Sequence, residues 1–136
     1  MDSRRMHHGS CLCGAVRYEV EGDFQRFYLC HCRHCRKDTG SAHAANLFAS
    51  GATLKWVAGK DHVKCFTLPS TRHGKCFCST CGSALPSLHS EGTFLVVPAG
   101  SLDSDVTLKP DAHIFGSRRA RWDSRLDEVP TIEGSP

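Results

Sequence analysis

The chain has 136 residues, of which 40% are hydrophobic; this closes one modest core but not two, so a single domain is expected. Its 17 basic and 14 acidic side chains leave a formal charge of +3, which excludes a whole-surface nucleic-acid footprint and a charged disordered chain. No apolar run approaches the roughly 20 residues of a membrane span, and residues 1–8 are polar where a secretory leader is apolar, so a cytoplasmic protein without a membrane partner is expected.

Residues 1–8, including His7 and His8, read as a flexible leader, followed by one domain over 9–126 and a tail over 127–136. In 14–21, Val16, Tyr18 and Val20 alternate with Arg17, Glu19 and Glu21, the period of a half-buried strand. Further short strands are predicted at 24–29, 43–48, 53–57, 63–68, 94–98 and 112–115, separated by clusters of Gly, Pro, Ser and Asp. One helical turn is predicted over 33–40, and no window carries a long helical period. The chain therefore reads as all-β. At its end Arg118, Arg119, Arg121 and Arg125 surround Trp122.

Nine cysteines in so short a chain demand a chemical explanation. The count is odd and the expected compartment reducing, which favours metal over disulfides. Seven of them fall into three groups: Cys11-Leu12-Cys13, Cys30-His31-Cys32-Arg33-His34-Cys35 and Cys78-Ser79-Thr80-Cys81-Gly82. A CxxC turn brings two sulfurs to one ion at about 2.3 Å, and a following glycine lets the backbone fold beneath it. CxC on a strand turns both side chains to one face. Joining Cys11 and Cys13 to Cys78 and Cys81 completes a tetrahedral structural zinc site that ties the first strand to the middle of the chain.

The remaining group offers three thiolates, Cys30, Cys32 and Cys35, the ligand count of a zinc that keeps its fourth position open for chemistry. Alternatively His31, His34, Cys65 or Cys76 closes that tetrahedron. Cys76 lies two residues before Cys78 and can instead compete for the structural ion, while a plain buried thiol is the other reading of both Cys65 and Cys76.

Gly9-Ser10-Cys11-Leu12-Cys13-Gly14, the central Cys30-to-Ser41 run and Phe77-Cys78-Ser79-Thr80-Cys81-Gly82-Ser83 resemble the glutathione-dependent formaldehyde-activating enzyme and centromere protein V family. Gly100-Ser101-Leu102-Asp103 and His113-Ile114-Phe115 extend the likeness, which runs from residue 9 to residue 122. The resemblance implies a β-tent of antiparallel sheets, a structural zinc on Cys11, Cys13, Cys78 and Cys81, and a second zinc on Cys30, Cys32 and Cys35. Departures from the pattern are Arg118-Arg119-Ala120-Arg121-Trp122, where Ser-Lys-Ala-Pro-Trp is common, Ala84 in place of a proline, and Arg36-Lys37-Asp38 in place of a Trp-Lys-Pro run.

The implied activity is that of a carbon–sulfur lyase joining a small thiol, glutathione, to a small aldehyde, formaldehyde, or cleaving the adduct. An open position on zinc suits it, because coordination deprotonates a thiol at neutral pH. Three thiolates and an incoming fourth overload the ion with negative charge. Arg33, Arg36 and Lys37 flank the motif, can offset that charge and can bind the carboxylates of a glutathione-like ligand. His31 and His34 are candidates for proton transfer, with hydrogen bonding behind the metal as their alternative role. The competing reading is a non-catalytic, zinc-stapled module for nucleic acid or chromatin. The arginines of the tail are too interspersed with acids to make nucleic acid the expected partner.

Overall fold

The computed structural model describes residues 5–136. In chain order the elements are β1 (Met6–Ser10), β2 (Arg17–Glu21), β3 (Arg26–Cys30), α1 (Arg33–Thr39), β4 (Ala44–Ser50) and β5 (Thr53–Ala58). They continue as β6 (Val63–Thr67), β7 (Gly74–Cys78), β8 (Ala84–Leu85), β9 (Ser87–His89), β10 (Phe94–Pro98) and β11 (Ala112–Ile114). The strands form three sheets in the orders β1-β2-β5, β11-β3-β4-β10-β9 and β6-β7-β8. Every pairing is antiparallel except that of β11 with β3. The all-β expectation holds, and each of the seven segments read from alternation contains a strand.

The period of two explains the core. On β2, Tyr18 and Val20 are buried while Arg17 and Glu21 are exposed. Together with Val16 they join Leu47 and Ala49 of β4, Leu95 and Val97 of β10, and Leu85 of β8 in one buried cluster. A second, smaller cluster forms around Cys30, Cys35 and Ala44, with Cys32 and Ile114 packed against it. No helix among the described residues is long and apolar enough to cross a membrane.

The leader expectation is corrected at His7 and His8, which lie on β1. His7 is buried, its Nε2 3.1 Å from the Gly22 carbonyl and its ring 4.6 Å from that of Phe24. Pairing with β2 along its full length holds this polar strand, so no apolar stripe announces it. Residues 1–4 of the expected leader lie outside the described residues.

β7 and β8 were not foreseen either, because Gly74–Cys78 reads as the approach to a metal knuckle. On β7 both Cys76 and Cys78 face inward, and the β6–β7 register sets Cys65 opposite Cys76. These two form a disulfide. The expectation of a free or metal-binding role for either is thereby corrected: pairing removes both from competition for an ion, and Cys65 is exposed rather than buried.

α1 is a short helix capped at both ends. The Cys35 N–H donates to the Cys32 sulfur at 3.3 Å, and Gly40, at φ 66°, donates its N–H to the Arg36 carbonyl. Asp38 then ties the helix to the third sheet through an ion pair with Lys75 and a 2.9 Å contact with His73 Nε2.

Gly59, just after β5, passes over the loop that carries the first cysteine pair. Its φ is +75°, and a Cβ there would run into the Ala15 carbonyl group, whose carbon would lie at 2.8 Å. Backbone strain and a backbone clash together cost about 2–4 kcal/mol. Gly59→Ala is therefore expected to lower Tm by roughly 8–15 °C. Gly100→Ala, at a position with open space and no positive φ, is the control. Equal melting of the two variants would contradict the close approach.

Candidate metal centres and an adjoining cationic cavity

Two tight turns build the first cysteine cluster. β1 ends at Ser10, so Cys11 and Cys13 lie on a turn rather than on the strand assumed from their spacing. The Gly14 N–H donates to the Cys11 carbonyl at 3.1 Å, with Gly14 at φ 81°. The second turn repeats the device: the Gly82 N–H donates to the Cys78 carbonyl at 2.7 Å, with Gly82 at φ 78°. Here a Cβ would strain the backbone, which is why glycine follows each pair.

The turns bring Cys11, Cys13, Cys78 and Cys81 together, with all four sulfurs within 4.8 Å of one another. Cys11 and Cys13 are 3.6 Å apart at sulfur, Cys13 and Cys78 3.9 Å. Four sulfurs at about 2.3 Å from one tetrahedral ion stand about 3.8 Å apart, so the donors fit zinc. Electrostatics agrees. The Ser83 hydroxyl, 3.2 Å away, and the Ser83 backbone hold Cys81 down to about 5. Against the Ala15 backbone, the neighbouring Cys11 pushes Cys13 up to about 11. Without a cation, one thiolate suppresses the next.

Cys30, Cys32 and Cys35 form the second cluster, their sulfurs also within 4.8 Å of one another. Cys30 ends β3, Cys32 caps α1 and Cys35 lies on its first turn, so one strand-to-helix corner presents all three. Burial pushes the thiols of Cys30 and Cys35 up. At Cys32 burial is outweighed by the Cys35 N–H and the adjoining thiols, which hold it down. Cys32 is also the only one of the three that is not buried. Among the described residues no fourth His, Cys, Asp or Glu ligand joins this group.

The candidates for that fourth place go elsewhere. Cys65 and Cys76 are paired with each other. His34 is exposed. His31 is fully enclosed, with Nε2 2.7 Å from His113 Nδ1. Burial first, and then the Arg119 charge, holds His31 below its ordinary value. This enclosure corrects its candidacy for proton transfer to a ligand in solvent and matches the alternative, hydrogen bonding behind the cysteine corner.

Arg33, Arg36 and Lys37 line one open cavity of about 650 Å³, together with Arg118, Arg119 and Trp122. Five cations and no acid face this space. Arg36 Nη1 donates to the Arg118 carbonyl at 2.9 Å, fixing the helix against the C-terminal segment. Sequence reasoning placed the first three residues beside the cysteines but treated the tail arginines as a separate patch. Only folding unites them. Arg119 pairs with Asp123 at 3.2 Å and Arg125 with Glu128 at 3.8 Å, so half of the four tail arginines are neutralised locally.

Missed altogether were His43 and Asp123, which converge on His31. His31 Nδ1, His43 Nδ1 and Asp123 Oδ2 lie within 4.8 Å of one another. Their positions in the chain carry no common spacing, so no motif could have joined them.

Comparison with known proteins agrees with the cysteine pattern. A crystal structure of a Rhodobacter sphaeroides protein superposes with a TM-score of 0.61 at 24% identity, covering 78% of this chain and 98% of that one, which shows a shared fold. A Halomonas elongata protein named "Putative glutathione-dependent formaldehyde-activating enzyme" is 36% identical over 125 residues, 84% of this chain and 77% of that protein. The family model for the glutathione-dependent formaldehyde-activating enzyme matches residues 6–118, which include both cysteine clusters. On that match and that identity, the chain belongs to the glutathione-dependent formaldehyde-activating enzyme family.

Proposed function

We propose that the chain is a zinc-dependent carbon–sulfur lyase acting on the adduct of a small thiol and a small aldehyde, S-(hydroxymethyl)glutathione or a close relative. In one direction a carbon–sulfur bond forms and the thiol proton ends on the aldehyde oxygen; in the other, that bond breaks and the proton returns to sulfur. The observation that carries this reading is the cluster of three thiols that no fourth ligand among the described residues joins, on a corner next to a cavity of cations. Cys11, Cys13, Cys78 and Cys81 hold a structural zinc, and Cys30, Cys32 and Cys35 hold a second, more labile one. When bound, the second zinc supplies a position at which a substrate sulfur stays deprotonated at neutral pH.

The chain's own residues account for the rest. Arg33, Lys37 and Arg118 pair with no carboxylate among the described residues and are available to the carboxylates of a glutathione-like body. The half-buried Cys32 gives the substrate its approach. A charge-assisted hydrogen bond contributes about 1.5–3 kcal/mol, so each lost cation weakens binding roughly tenfold or more.

Arg33→Ala and Lys37→Ala are each expected to raise KM for the glutathione–formaldehyde adduct about tenfold, with kcat changed by less than about threefold. Turnover of the uncharged 2-mercaptoethanol adduct should not change. Equal losses on both substrates would contradict the assignment of the cavity. Absence of turnover, together with duplex DNA binding of steep salt dependence, would instead favour the binding-module reading.

A further inference from the structure

We propose that His31, His43 and Asp123 form a third metal site, with nitrogen and oxygen ligands, for a first-row divalent cation of the zinc type. The three residues come from separate parts of the chain: the corner between β3 and α1, the segment entering β4, and the segment beyond β11. His31 is wholly buried and Asp123 is 7% exposed. Each of His31 Nδ1, His43 Nδ1 and Asp123 Oδ2 is enclosed without a hydrogen-bond partner among the described residues.

Buried polar atoms without partners are rare in folded proteins, and three aimed at one point call for a group between them. No tautomer resolves the cluster. If His31 Nε2–H donates to His113, then the bare Nδ1 of His31 faces the carboxylate of Asp123 at 3.4 Å, acceptor against acceptor. If the proton sits on Nδ1 instead, His31 and Asp123 face each other in poor alignment, and His43 Nδ1 is still without a partner. Arg119 Nε approaches the same Asp123 oxygen at 3.2 Å but is not aligned for a hydrogen bond, so it balances charge without filling the space.

One cation satisfies all three atoms at once. Ligands at about 2.0–2.2 Å from an ion stand about 3–4 Å apart, which the present spacing reaches by small side-chain movements. Two imidazoles and one carboxylate favour zinc and its neighbours over calcium or magnesium, which prefer oxygen. The 2.7 Å bond from His31 to His113 is the outer contact that metal-bound histidines commonly make, and it presents Nδ1 to the ion. Being free of sulfur, this site differs in kind from both thiol clusters.

The test is a metal count on the purified full chain after equilibrium dialysis against micromolar free zinc. His43→Gln and Asp123→Asn are each expected to bind one zinc ion per chain fewer than wild type. Because the readout is a difference, it does not depend on how many ions the thiol clusters hold. Should either variant fail to fold, cobalt titration of the wild type that has kept its structural zinc provides the second measurement. One equivalent should then bind without adding to the near-ultraviolet sulfur-to-cobalt charge-transfer band. Unchanged zinc counts in the folded variants would overturn the proposal and leave water in the cluster. So would a titration in which every bound cobalt adds to the sulfur band.

Discussion

Cys78→Ala is expected to yield a chain that does not reach a soluble native state. The reason is the size of the metal contribution relative to the stability of the fold. Structural zinc in small domains contributes about 10–16 kcal/mol of apparent binding free energy, whereas a domain of this size is stable by about 5–15 kcal/mol in all. Losing one of four thiolates from a closed site removes most of that contribution. Cys78 is fully enclosed within the main core, at the end of β7, and its cluster joins the turn after β1 to the third sheet. Loss of the ion therefore removes the direct tie between the first turn and the third sheet, beneath which Cys11, Cys76 and Cys78 share the main core. Cys11→Ala, which alters the opposite turn, should behave in the same way. Solubility, a thermal melt and a zinc count check this; a soluble Cys78→Ala chain with unchanged Tm and zinc content would show that the cluster is not a structural site.

At the other cluster the expected outcome is opposite in kind. Cys32→Ala should fold, lose one zinc ion and lose lyase turnover by at least about a thousandfold, the scale expected when a catalytic centre is dismantled. Cys32 is half-buried, and its sulfur is also the cap of α1, accepting the Cys35 N–H at 3.3 Å. Removing a cap costs about 1 kcal/mol, a Tm loss of a few degrees. Cys32→Ser separates the two roles, since a hydroxyl caps a helix well but is a poor zinc ligand. It should recover the melting temperature while leaving turnover and zinc content low. Collapse of Cys32→Ala as severe as that of Cys78→Ala would mean that the second cluster holds the fold together instead of carrying the reaction.

What could be read from the chain alone is what depends on near neighbours. The Val16, Tyr18, Val20 alternation marks β2 because side chains on a strand change face at every residue, and the apolar run of 94–98 coincides with β10. Glycine directly after each outer cysteine pair signals the turns, since Gly14 and Gly82 both take positive φ. The division into a group of four and a group of three cysteines follows from ligand count, and the structure brings together those same residues. Length and periodicity were also enough for an all-β class.

Tertiary structure decided everything that depends on register or on meetings between distant segments. Cys65 and Cys76 are a disulfide only because β6 and β7 pair in the register that sets them opposite, and a shift of one residue would have turned them to opposite faces. His7 is buried because β2 offers β1 a ladder of backbone bonds, which leaves no trace in the side-chain pattern of β1. Arg118 shares a cavity with Lys37, and His43 and Asp123 converge on His31, because the C-terminal segment folds back against α1 and β4. Local propensity is short-ranged, while these sites are assembled from pieces of chain that carry no common spacing, so only the packing of the sheets could specify them.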